Sequence, residues 1–277
     1  HMVYSPLLIV IYGFIIFILA AASFFDIRNR EVPDFISYVF LTGAILLVIA
    51  LSIYTGSIQL IEFIPLSAAL LFGFAYLMYR LGQWGGGDVK LMLGLSFLFT
   101  NISVQSGLSF IDLFINILLF GGAYGLLAMI VLGAVNYKSM GKHLKFYDYI
   151  LFAVGAAAVA LIYFLFPYPF NMLLALMVFL LAVIRYIYIV SAELMYREVD
   201  VSRLTEGDWL AEDIINRGRI VVRRSNVGLT EEEIEKLRKE NLKKVRIKTG
   251  LPFVPGILIG AVITLFFANP LLSMLIL

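Results

Sequence analysis

Apolar residues in this chain arrive in long unbroken stretches, not in the short alternating or 3.6-period patterns of soluble folds. The stretches fall at roughly 4–25, 34–54, 62–81, 89–100, 109–135, 149–166, 170–190 and 252–275. Most match the ~20 residues that carry a helix across ~30 Å of hydrocarbon. The fourth is short and reads as a partial crossing. The pattern predicts an all-α polytopic membrane protein with about eight hydrophobic segments, and six or seven spans are also compatible with it. The first stretch is too long for a secretory signal and lacks a small-residue cleavage site, so it reads as a retained span.

Polar positions break this pattern in one place. Between Ser191 and Gly250 lie 13 Lys/Arg and 12 Asp/Glu, more than half of the charges of the chain. Thr230 followed by Glu233 has the spacing of a capping box and opens a charged helix through about Asn241. In KKVRIKTG, Val245 and Ile247 alternate as in a strand. The expected organisation is a transmembrane domain over 1–190, a small water-exposed α/β domain over 191–250 and a last transmembrane helix over 251–277.

The few basic residues outside that insert predict orientation. Arg28 and Arg30 follow span one, Arg80 and Lys90 bracket the turn after span three, and Lys138, Lys142 and Lys145 follow span five. Arg185 near the end of span seven can snorkel to the same surface. Loops of opposite parity, around TGSIQLIE, TNISVQSG and PYP, carry no Lys or Arg. The positive-inside bias then places the N-terminus outside and the charged domain in the cytoplasm of a multi-pass plasma-membrane protein.

Composition agrees and removes several function classes. Of 277 residues, 62% are hydrophobic and 14% charged, against about 45–50% and about 25% in soluble domains. The net charge of +2 is too mild to argue for nucleic acid. With no cysteine and two histidines, thiol catalysis, disulfides and thiolate or histidine-rich metal sites are not expected. His1, ahead of Met2, reads as a cloning remnant, and His143 as a solvated loop residue.

Ionisable groups within or at the rim of a membrane are costly, so each is a candidate for function. Asp26 closes the first apolar run in AASFFDIRNREVPDF, where a carboxylate is partly desolvated. It reads either as a reactive group or as an interfacial carboxylate paired with Arg28 or Arg30. Asp88 follows three glycines in RLGQWGGGDVKLMLG. Each glycine costs roughly 1 kcal/mol relative to Ala in a helix, and the bare backbone of Gly85, Gly86 and Gly87 suits close approach of a substrate strand. An ordinary glycine-rich turn with an N-cap aspartate is the plainer alternative. Spans one and three run in the same direction, so both aspartates reach the same cytoplasmic rim. Two neighbouring carboxyl groups cannot both ionise freely; one keeps a proton and can act as acid while the other acts as base.

Asp26, together with the GGGD of Gly85 to Asp88, resembles the paired-aspartate signature of the GxGD intramembrane aspartyl proteases. The nearest likeness is to archaeal preflagellin peptidases and type IV prepilin peptidases. DIRNREVPD is similar to the basic loop of that family and GGGDVKLMLG to its second motif; GLPFVPGIL from Gly250 to Leu258 resembles its Pro-Phe-x-Pro segment. The resemblance implies that Asp26 and Asp88 form a catalytic dyad, that Gly85 and Gly87 are the motif glycines, and that no metal or organic cofactor takes part. The implied partner is a membrane-anchored precursor with a short basic leader, such as an archaellin or pilin-like protein.

The departures also carry information. The chain lacks the cysteine-rich zinc loop of the bifunctional bacterial enzymes, which predicts peptidase activity without methyltransferase activity. It also lacks the Pro-Ala-Leu string of the presenilin branch. Asp34 stands where prepilin peptidases usually carry Asn and reads as a helix N-cap after Pro33, with a grip on basic leader residues as the alternative. Lys90 is the basic residue placed to tune the dyad, against simple positive-inside duty. Glu31 can neutralise Arg28 or Arg30 or meet a substrate lysine. Glu62 and Asp112 read as outer-surface starts of spans, and Asp148 as the start of span six opposite the lysines of its loop. Two readings from other classes remain open. A proton- or cation-coupled transporter would explain rim carboxylates and glycine-broken helices, and a membrane sensor or scaffold would explain the cytoplasmic domain.

Overall fold

The computed structural model describes residues 6–100, 109–138, 145–216, 218–225, 228–240 and 242–267. Among the described residues six helices are long and apolar enough to cross a membrane: Pro6–Asn29, Asp34–Thr55, Gln59–Arg80, Phe110–Val135, Phe146–Leu165 and Phe170–Ala192. In chain order the helices are α1 (Pro6–Asn29), α2 (Asp34–Thr55), α3 (Gln59–Glu62), α4 (Ile64–Arg80), α5 (Gly86–Leu98), α6 (Phe110–Asn116) and α7 (Gly122–Val135). They continue with α8 (Phe146–Leu165), α9 (Phe170–Leu194), α10 (Glu231–Lys239) and α11 (Val254–Phe267). This is a polytopic membrane protein with a small α/β region late in the chain.

The fourth hydrophobic segment is a half-length helix. At 13 residues, α5 rises only about 20 Å, and it starts within the glycine run, at Gly86. It compensates by packing between α2 and α4, where Leu91, Met92 and Leu95 are almost completely buried. The approach to α2 is close because Gly94 has no side chain; a Cβ there would lie 2.5 Å from the Phe40 ring. On the other side of the bundle α11 packs against α1 and against a π-helical segment, Ile117–Gly121, that joins α6 to α7. Gly260 permits that contact, since a Cβ there would fall 2.7 Å from Ile117. Ile11, Ile15, Leu19, Phe40, Leu71 and Ile257 fill the resulting core. Most other large apolar side chains of α8 and α9 are exposed, as lipid-facing surfaces require.

Arg185 does not simply snorkel. Its Nε donates to Asp148 Oδ1 at 2.7 Å, while Asp148 Oδ2 accepts from the Lys145 N–H at 3.0 Å. The completely buried Asp148 is therefore paired with α9 as well as starting α8. Asp112 is buried at the start of α6, where Ser109 caps the helix, and Glu62 is exposed in α3.

α9 continues to Leu194, past the expected start of the charged region, and β1 (Tyr196–Asp200) begins after it. The insert contains β2 (Trp209–Leu210), β3 (Ile214–Asn216), β4 (Arg219–Val222) and β5 (Lys244–Lys248). β5 lies between β1 and β2 in an antiparallel sheet, with Arg197 opposite Ile247, and β3 pairs with β4 in a second ribbon. The capping box opens α10 as expected: Thr230 N–H donates to Glu233 Oε2 at 2.9 Å, and Glu233 N–H donates to Thr230 Oγ1 at 3.4 Å. The helix ends at Lys239, short of the expected Asn241, which lies outside the described residues, as do His1, Lys142, His143, the NISVQSG stretch and the end of the last hydrophobic segment. Val201, Leu204, Leu229, Ile234, Leu237, Val245 and Ile247 form a core of the insert's own.

Candidate active site

Asp26 sits in the last turn of α1 and is buried, although it follows Phe24 and Phe25 at the apolar end of the helix. The helix stops three residues later, and Arg30 turns the chain with φ of 61°, a left-handed conformation costing a non-glycine residue roughly 1 kcal/mol. Its Nη1 donates to the Gly250 carbonyl at 2.9 Å. The chain beyond Gly250 then brings the Val254 N–H to Asp26 Oδ2, again at 2.9 Å. Asp26 is thus held by a backbone amide of the final helix; among the described residues it forms no ion pair with Arg28 or Arg30, contrary to that sequence expectation.

Asp88 is buried in the first turn of α5. Its Oδ2 accepts from the Gly85 N–H at 2.9 Å, so the carboxylate closes the turn from which it projects. The preceding Trp84 is buried and meets Phe253 with ring centroids 4.9 Å apart. Adjacent residues, Phe253 and Val254, therefore contact the segments that carry Asp88 and Asp26 respectively. The Asp26 charge also acts electrostatically on Asp88.

The three glycines serve different purposes. Gly87 packs against the α1–α2 loop so closely that a Cβ would lie 2.9 Å from Val32 Cβ. Gly86 faces open space, and a Cβ at Gly85 would meet only Asp88 Oδ2 at 3.7 Å. All three line a cavity of about 580 Å³ together with Asp26 and Asp88. The membrane bundle supplies one wall and the insert the other, through residues including Arg197, Asp208, Trp209 and Lys248.

Glu31, Asp34 and Lys90 also line this cavity. Lys90 Nζ donates to Asp34 Oδ1, and Tyr38 lies beneath the ammonium at 5.3 Å. Lys90 is thus paired with Asp34 at the wall of the cavity. Asp34 is not the N-cap; Pro33 occupies that position and Asp34 is the first helical residue, free to reach across to α5. Glu31 is exposed and forms no ion pair among the described residues. Partial burial first, then the Asp208 and Asp34 charges, push its carboxyl above the usual range. Among the described residues no group of three His, Asp or Glu is placed to hold a metal.

Val254, Phe253, Trp84 and Arg30 were not singled out for these contacts by sequence reasoning. A backbone N–H carries no side-chain signal, and Arg30 reads as an ordinary cytoplasmic charge. The useful signal was the GLPFVPGIL segment, flagged only by its resemblance.

No curated protein and no solved structure matched the chain. Residues 13–126, which include both aspartates and all three glycines, match the model of the type IV leader peptidase family. Through that segment the chain is similar to the type IV leader peptidase family.

Proposed function

We propose that the chain is an intramembrane aspartic endopeptidase whose dyad is Asp26 and Asp88, and that it removes short basic leaders from archaellin or type IV pilin-like precursors. The observation that carries this reading is the burial of both carboxyl groups against one cavity, each accepting a backbone N–H through Oδ2. A water held between the two carboxyl groups is the nucleophile in this reading.

One carboxylate takes a proton from that water as its oxygen attacks the scissile carbonyl, and the protonated partner supports the developing oxyanion. A proton then passes to the amide nitrogen as the C–N bond breaks, releasing a new carboxylate and a new amine. The pair titrates as a unit, so acid and base are not assigned to individual residues. Gly85 and Gly86 offer backbone to an extended substrate, while Gly87 holds the turn against Val32. The apolar helix of the precursor lies in the bilayer, with its leader at the cytoplasmic rim beside the insert. Glu31, an exposed acidic residue that lines the cavity, suits a basic leader residue. In this reading the N-terminus is outside, the 191–250 region is a cytoplasmic domain, and no methyl transfer follows cleavage.

The test is cleavage of an archaellin or pilin precursor in membranes by the wild type, Asp26→Asn and Asp88→Asn at equal protein levels. Each substitution should reduce cleavage by at least the ~10²–10⁴-fold span of acid–base catalysis. Cleavage at wild-type rate by either variant would remove the dyad.

A further inference from the structure

A second opening of about 190 Å³ adjoins the central cavity beside the α4–α5 turn. Leu81 and Gln83 line it from the bundle, and Trp209, Arg224 and Lys248 from the insert. No Asp or Glu lines it. Gln83, Trp209 and Lys248 also line the larger cavity, so the two spaces are neighbours.

The cations here differ from two others on the insert. Lys239 and Lys244 have carboxylates within 3.9 and 4.0 Å, from Glu235 and Glu198. Among the described residues Arg224 and Lys248 form no ion pair. Lys248 Nζ lies 5.8 Å from the Trp209 ring centroid, and the Arg224 backbone is anchored by its N–H to Asp213 Oδ1 at 2.7 Å. Burial first, and then the Arg224 charge, hold the Lys248 ammonium below the usual lysine range. Like charges brought together in a half-buried site are unfavourable until an anion bridges them.

The position of the opening identifies the source of that anion. The span before it, Gln59–Arg80, has 22 residues and rises about 33 Å as a helix, enough for the ~30 Å hydrocarbon layer. The turn that follows therefore sits at headgroup level, where Leu81 is exposed. Trp and Lys are characteristic of that interface, and acidic lipids supply its fixed negative charge.

We propose that this opening binds a phosphate group, presented by an acidic phospholipid headgroup, which bridges Arg224 and Lys248 and seats the insert on the membrane-spanning bundle. The site is independent of the peptidase mechanism. Its occupancy restrains Trp209 and Lys248, which also form part of the wall facing the aspartates.

The experiment uses the full chain in neutral phosphatidylcholine nanodiscs or detergent, titrated with short-chain phosphatidylglycerol or with inorganic phosphate. Binding is read by native mass spectrometry and thermal shift. Arg224→Gln and Lys248→Gln should each weaken phosphatidylglycerol binding about fivefold, whereas Arg224→Lys retains it and so separates loss of charge from misfolding. Lys239→Gln, which removes the same charge elsewhere on the insert, should leave binding unchanged. Variant-dependent binding of inorganic phosphate alone, without phosphatidylglycerol binding, supports the phosphate site and overturns its lipid source. Wild-type binding by both glutamine variants, an equal loss in Lys239→Gln, or no binding of either probe overturns the proposal.

Discussion

The Val254 backbone N–H donates to Asp26 Oδ2 at 2.9 Å across 228 positions of sequence. That bond makes one carboxyl of the proposed dyad depend on the chain's re-entry into the membrane after the insert. The Arg30 guanidinium, four residues beyond Asp26, is tied to the Gly250 carbonyl at the same re-entry point.

The Arg30 tie should therefore matter for rate more than for substrate binding. Arg30→Ala keeps the left-handed backbone cost and loses a hydrogen bond from a charged donor, a change of about 1.5–3 kcal/mol at full strength and less at this exposed site. We expect kcat to fall several-fold with KM nearly unchanged, and Arg30→Lys to restore part of the loss. A KM increase with constant kcat would place Arg30 in leader binding instead.

Gly86 and Gly87 should respond oppositely to alanine. At Gly87 the new methyl would press on Val32, and overpacking of this kind costs typically 1–3 kcal/mol; thermal unfolding in detergent should show a lowered midpoint. At Gly86 there is open space, so stability should hold while cleavage falls if substrate backbone lies there. Unchanged cleavage by a stable Gly86→Ala protein would move the substrate strand away from this turn.

Glu31 gives a pH-dependent prediction. Its folded pKa is raised from 4.5, so the folded state holds the proton more tightly than the unfolded chain. The stabilising contribution of the protonated group is complete below the unfolded pKa and is lost as pH rises through the folded value. Glu31→Gln, which cannot ionise, should raise the thermal midpoint slightly at pH 7 and give no advantage near pH 4. An equal gain at both pH values would mean that the cost of ionising a partly buried Glu31 beside Asp208 and Asp34 is not the cause.

The Lys90–Asp34 pair is half exposed, with side chains 38% and 66% accessible, and such pairs contribute about 0–1 kcal/mol. Lys90→Gln should therefore change stability little and cleavage by no more than about twofold at this energy scale. A loss as deep as that of Asp88→Asn would show that Lys90 acts on the dyad after all.

Several features were determined by the sequence itself because they depend on local chemistry. A run of about twenty apolar residues must find hydrocarbon and must be helical there, so α1, α2, α4 and α6 to α9 could be placed from pattern alone. The dense charges after Ser191 required water, and Thr230 with Glu233 specified the start of α10. Asp26 and Asp88 stood out because a carboxylate at the end of an apolar run is expensive.

Tertiary structure decided what those local rules leave undetermined. Pro33 took the cap position, which left Asp34 available to pair with Lys90 of α5. Gly87 and Gly86, equivalent by composition, became a packing contact and an open surface because Val32 approaches only one of them. Chain folding also brought the Val254 amide to Asp26 and the insert over the cavity. Such contacts join residues far apart in sequence through backbone atoms that every residue carries, so no side-chain pattern announces them.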